Sequence, residues 1–152
     1  MTTDQPDVAT ANAALSLRFV EAAQTGNAAI VAECLTEDYV QIFPRPGIQG
    51  MPAGIDGRDQ IVEFLAMLPA IYEPGSMRME VENVVAQGPM VVIQFRMNAR
   101  TAAGEPYENH YVQILECHDG QVTRSWEYCD TLYAAQKLMP DVLATPGGGA
   151  GA

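Results

Sequence analysis

His110 and Asp130 are the two residues of this sequence best suited to move a proton together. A carboxylate beside an imidazole fixes its tautomer and stabilises its protonated form, which makes an acid/base unit. Strand alternation decides whether they meet. On the stretch ending at Asp130, the residues Trp126, Tyr128 and Asp130 share one face, while Ser125, Glu127 and Cys129 share the other. The bulky aromatics assign the first set inward and Glu127 outward. On the stretch before it, Val112 and Ile114 take His110 inward and leave Asn109, Tyr111 and Gln113 on the opposite face. A three-residue His118-Asp119-Gly120 loop pairs even residues with even ones, which sets His110 opposite Tyr128 and diagonal to Asp130. A two-residue Asp119-Gly120 turn pairs Asn109 with Asp130 instead. Each residue also has a plainer role: Asp130 as the N-cap of a helix starting at Thr131, and His110 as a hydrogen-bonded core or interface histidine.

A second group could orient a substrate. Tyr39, Gln41 and Phe43 share a strand face, so Gln41 supplies a hydrogen-bonding amide to an otherwise apolar wall. The stretch from Met90 to Thr101 sorts into Val91, Ile93, Phe95 and Met97 on one face and Gln94, Arg96, Asn98 and Arg100 on the other. Arg96 and Asn98 join Gln41, Tyr128 and Trp126 as candidate substrate contacts, although the same polar face also suits solvent or a dimer interface. Only two histidines are present, with no cysteine or carboxylate cluster beside them, so no metal site is expected. No glycine-rich phosphate loop or nucleophile elbow appears, and no cofactor is expected.

The chain that must position these groups has 152 residues, 48% of them hydrophobic, enough for one domain. Its 19 acidic and 8 basic residues give a net charge of -11, which disfavours nucleic acid and anionic membrane partners. The longest apolar runs, such as Met90 to Ile93, fall far short of the roughly 20 residues of a membrane span. The N-terminus shows no secretory signal, so Cys34, Cys117 and Cys129 read as reduced thiols of a cytoplasmic protein.

Periodicity predicts a helix over 9–25 through Leu15, Phe19, Ala22 and Ala23, then a second one capped by Asn27 through Ile30, Val31, Cys34 and Leu35. A strand over 39–43 runs into a loop from Pro44 to Gly57 holding three prolines and four glycines, long enough for a pocket lid. A third helix follows over 59–68. Antiparallel strands are expected at about 76–86, 90–101, 105–117 and 121–130, and a short helix at 131–138. The result is an α+β domain over 9–140, with flexible tails at 1–8 and 141–152. Its curved antiparallel sheet wraps around three N-terminal helices to form a cone with an internal cavity.

Several motifs resemble the SnoaL-like group of the nuclear-transport-factor-2-like superfamily: Thr36-Glu37-Asp38, Gly57-x-x-x-Ile61-x-x-Phe64-Leu65, Tyr107-x-Asn109-x-Tyr111-Val112, Asp119-Gly120 and Trp126-Glu127-Tyr128-Cys129-Asp130-Thr131. The resemblance implies a homodimer formed across the outer sheet face and a small hydrophobic or polycyclic ligand. It also implies cofactor-independent isomerisation, cyclisation or dehydration, with Asp130 as general acid/base and His110 as its partner. A non-catalytic binding or assembly module is the competing reading, because the superfamily includes both. Relatives that hydrolyse limonene epoxide carry an Arg-x-Asp where this chain has Arg96-Met97-Asn98, so that chemistry requires a second carboxylate near Asp130. Ketosteroid isomerases carry aspartates at positions that hold Phe43 and a residue near Val112 here, which disfavours their arrangement.

Overall fold

The computed structural model describes residues 7–44 and 52–139. Four helices and six strands follow the order α1 (Val8–Gln24), α2 (Ala28–Cys34), β1 (Leu35–Ile42), β2 (Gly54–Asp56), α3 (Arg58–Leu65), β3 (Arg78–Gln87), β4 (Met90–Arg100), β5 (Pro106–His118), β6 (Gln121–Cys129) and α4 (Thr131–Leu138). A single turn of 3₁₀ helix occupies Leu68–Ala70. No helix among the described residues is long and apolar enough to cross a membrane.

Local chemistry sets the boundaries. The Asp7 side chain accepts from Thr10 N at 2.8 Å to open α1, and Asn27 Oδ1 accepts from Ile30 N at 3.3 Å to open α2. Between β5 and β6 the turn is the two-residue Asp119-Gly120, with φ of 50° and 76°, the left-handed pair that matches the twist of a hairpin.

The sheet is curved and open, in the order β2-β1-β6-β5-β4-β3. Its neighbours are antiparallel except near the β2 edge, where β1 runs parallel to β6 with Gln41 beside Ser125. That pairing departs from an all-antiparallel expectation. The three N-terminal helices cover the concave face, α1 against β3 and β4 and α3 against β1. β4 reads the division most cleanly: Val91, Ile93, Phe95, Met97 and Ala99 are buried against the helices, and every intervening residue from Met90 to Asn98 is half-buried on the other face.

Of the Pro44-to-Gly57 loop, residues 45–51 lie outside the described part, and with them most of the expected lid. Its far end forms β2, a three-residue strand within the stretch expected to be loop. Of the flexible tails expected at 1–8 and 141–152, residues 1–6 and 141–152 also lie outside the described part. Asp7 and Val8 belong to the cap and first turn of α1.

Candidate functional site

A cavity of about 150 Å³ opens between the concave face and the helices. Phe19 of α1, Ile61, Phe64 and Leu65 of α3, and Leu68, Tyr72 and Met77 beyond it supply an apolar roof. The floor is the inner face of β1, β6 and β5, and it carries the polar groups: Gln41, Glu127, Gln113, Cys129 and Tyr111.

β6 orders this floor. Ser125, Glu127 and Cys129 point inward at two-residue steps, beside Gln41 of β1 and opposite Leu115, Gln113 and Tyr111 of β5. Gln41 anchors one end. The hydroxyls of Tyr39 and Ser125 lie 2.6 and 2.9 Å from its Oε1 and 2.5 Å from each other, so one hydroxyl donates to the other and the second donates to the amide oxygen. Tyr39 and Ser125 are fully buried, so these two protons have no competing water. At the centre, Gln113 Nε2 donates to Glu127 Oε2 at 2.7 Å. Burial raises the Glu127 pKa above its ordinary value of 4.5, against the lowering effect of the Gln113 bond. Gln113 Oε1 is buried and has no hydrogen-bond partner among the described residues.

At the other end Tyr111 stacks on Phe95, with centroids 5.2 Å apart and planes 7° from parallel. Its hydroxyl lies 2.8 Å from that of Tyr107, which in turn accepts from Asn109 Nδ2 at 3.0 Å. Burial pushes the Tyr39, Tyr72, Tyr107 and Tyr111 phenols upward, so all four stay protonated at neutral pH. Burial, with Glu127 and Asp130 nearby, pushes the Cys129 thiol up to about 12, which removes it as a nucleophile at neutral pH.

The expected site residues are placed differently. Gln41 is in the cavity wall. His110 lies on the outer, convex face, exposed, with Nδ1 3.6 Å from Glu82 Oε1 and Arg96 directly opposite on β4. Arg96 pairs there with Glu80, and Asn98 Nδ2 donates to the same carboxylate at 3.4 Å. Trp126 and Tyr128 share that face, and the Arg124 guanidinium lies over the Trp126 ring at 5.9 Å. Asp130 is exposed and caps α4, its Oδ1 accepting from Tyr133 N at 3.0 Å.

The inward assignments of His110, Trp126, Tyr128 and Asp130 are therefore corrected, and Arg96 and Asn98, candidate substrate contacts, lie on the face that suits solvent or an interface. The physical reason lies in the register and in the convex face. The Asp119-Gly120 turn pairs odd with even at His118 and Gln121, but a shift between Glu116 and Cys117 restores even-to-even pairing beyond it. His110 thus does share a face with Tyr128. That face is convex, and its aliphatic and aromatic residues imitate a core. Glu127, assigned outward by the same parity, is the carboxylate in the cavity. The alternation of β4 carried a signal that could have found it: followed through the β4–β5 pairing, Phe95 inward places Tyr111 inward, and so Gln113 and Glu127.

A comparison with curated proteins finds no match. Solved structures match over most of the chain. A protein assigned as a SnoaL-like polyketide cyclase from Jannaschia sp. CCS1 is 21% identical with a TM-score of 0.73, covering 90% of this chain and 96% of its own. TerC, crystallised with polyporic acid, is 22% identical with a TM-score of 0.72 (84% and 98%). A protein of ketosteroid isomerase-like fold from Catenulispora acidiphila DSM 44928, in complex with trimethylamine, is 15% identical with a TM-score of 0.69 (87% and 97%). At these identities the likeness is one of fold. The SnoaL-like domain itself matches residues 17–125, from within α1 to within β6 and ending just before Glu127, and the chain belongs to that family.

Proposed function

We propose that this protein catalyses cofactor-independent proton transfer at carbon on a compact hydrophobic molecule, as an isomerase or cyclase would, with Glu127 as the general acid/base. One observation carries the reading: among the described residues the cavity floor holds a single carboxylate, half-buried, bonded by a neutral amide and raised in pKa by burial. A carboxylate moved toward neutrality is suited to take a proton from carbon and return it. A volume of about 150 Å³ is on the order of what one aromatic ring needs, so a one-ring compound fits better than a polycyclic one. The fold neighbours crystallised with polyporic acid and with trimethylamine support a small organic ligand in this architecture. With Asp130 on the surface, epoxide hydrolysis by two cooperating carboxylates finds no second acid among the described cavity residues.

The test is deuterium incorporation from D₂O into a panel of one-ring carbon acids, followed by NMR. The wild type is expected to exchange at least one member, and Glu127→Gln to lose about 10² to 10⁴ in rate. Equal exchange by Glu127→Gln defeats the assignment. Binding without exchange by the wild type supports the second reading, a ligand-binding module, which the purely structural role of Asp130 favours.

The convex face supports the homodimer. Val85, Val92, Ile114 and Trp126 form a cross-strand row beside Val112 and Tyr128, bordered by charges of both signs at Glu80, Arg96, Glu116 and Arg124. A two-fold related copy would cover the row and bring unlike charges together. A cytoplasmic setting would keep the three unpaired cysteines reduced.

A further inference from the structure

We infer that the cavity also binds compact hydrophobic amines as their ammonium ions, with the Glu127 carboxylate as counter-ion and the aromatic side chains of the lining beside the charge. This goes beyond the proton-transfer reading, since it needs Glu127 ionised in the cavity and not its catalytic role.

A carboxylate drawn out of water is costly unless something offsets its charge. Among the described residues, every polar group around Glu127 is neutral. Tyr39 and Gln41 of β1, Tyr111 and Gln113 of β5, Tyr72 of the roof and Cys129 of β6 bring hydroxyl, amide and thiol groups, while α1, α3 and α4 add apolar side chains and the Gln24 amide. The basic residues are engaged elsewhere. Arg18 pairs with Glu33, Arg58 with Asp59, Arg96 with Glu80, Arg100 with Glu73 and Lys137 with Glu105. Arg78 donates to the backbone oxygens of Gly75 and Met77, and Arg124 lies over Trp126. Arg45 is outside the described residues.

The hydroxyls bond one another rather than Glu127. Those of Tyr39 and Ser125 lie 2.5 Å apart and share Gln41 Oε1. Those of Tyr107 and Tyr111 lie 2.8 Å apart with the Tyr72 hydroxyl beside them, and Asn109 Nδ2 donates to Tyr107. Glu127 Oε2 accepts from Gln113 Nε2, which leaves Glu127 Oε1 and the buried Gln113 Oε1 without a donor among the described residues. A neutral donor would satisfy an oxygen and leave the charge. An ammonium ion brings charge and N–H groups together, at a floor shared with Phe19, Phe43, Phe64, Tyr72 and Tyr111, whose ring faces attract a cation. The cavity of about 150 Å³ admits one ring with a short arm, and a net charge of -11 draws cations toward the protein.

Without a cationic partner, burial drives Glu127 toward its protonated form, and a bound ammonium takes the place of that proton. Binding therefore releases protons, and affinity rises as pH rises through the native pKa of Glu127, until the amine loses its own proton.

Benzylamine and ethylbenzene, of one size but with and without the charge, test this on the full chain by titration calorimetry. The wild type is expected to bind benzylamine and to release protons in mildly acidic buffer. Glu127→Gln is expected to weaken benzylamine about tenfold or more and to hold ethylbenzene within about twofold. Near-ultraviolet circular dichroism confirms that the variant is folded. No binding of benzylamine at millimolar concentration, undiminished binding by Glu127→Gln, equal losses for the two probes, or binding without proton release overturns the inference. Deuterium exchange into carbon acids reads catalysis separately: exchange without amine binding sinks the amine inference alone, and amine binding without exchange sinks the proton-transfer reading alone.

Discussion

At the residue scale, the two carboxylates near the end of β6 exchange the roles that their types alone suggested. Asp130 holds a helix. Asp130→Ala is expected to cost about 1 kcal/mol in urea unfolding, whereas Asp130→Asn, which keeps an oxygen for the Tyr133 amide, costs far less, and neither alters ligand affinity. Glu127 couples its environment to pH. Its native pKa lies above 4.5, so between that value and the native one the folded state holds a proton that the unfolded chain has lost. The resulting stability is fully present below pH 4.5 and lost as pH rises through the native pKa. Urea unfolding of wild type and Glu127→Gln across this window should therefore show the variant gaining on the wild type as pH increases. Parallel curves would mean that burial does not shift this group.

At the scale of elements, the helices and the four long strands are legible because each obeys one period over seven or more residues and ends on recognisable chemistry, such as Asn27 before α2 and Asp119-Gly120 before β6. β2 is not, since three residues inside a proline- and glycine-rich stretch carry no period. The parallel pairing of β1 with β6 leaves no local trace either, because it depends on what the rest of the sheet leaves open. The site was half legible for a related reason: on a two-sided sheet, apolar patterning reports burial without saying which side buries it. Ile114 and Trp126 suggested the interior from the convex face, while Gln113 and Glu127 suggested the exterior from the cavity. β2 also makes a prediction. A Cβ on Gly54 would lie 2.5 Å from the backbone oxygen of Gln41, so Gly54→Ala must push β2 away from β1. A loss of about 1–3 kcal/mol is expected by thermal or urea unfolding, together with weaker ligand binding as Gln41 shifts.

For the whole molecule, the acidic surface and the convex apolar row favour one outcome. A net charge of -11 keeps unrelated contacts weak, leaving the apolar row to select a matching copy. Ile114→Lys, in the centre of that row, is expected to convert a dimer into a folded monomer in sedimentation or light scattering; an unchanged mass in solution would remove the proposed interface. The parallel β1–β6 pairing has a kinetic consequence. Gln41 and Ser125 stand 84 residues apart in sequence, so the strand that carries Gln41 leaves the ribosome long before its neighbour exists. Pairings of such separation form slowly and late. The β1–β6 half of the cavity floor is then among the last parts of the chain to assemble, and a ligand that needs the floor complete binds the native state rather than its precursors. A ligand seated there should prolong the lifetime of the native state by slowing unfolding, while leaving the rate of folding untouched.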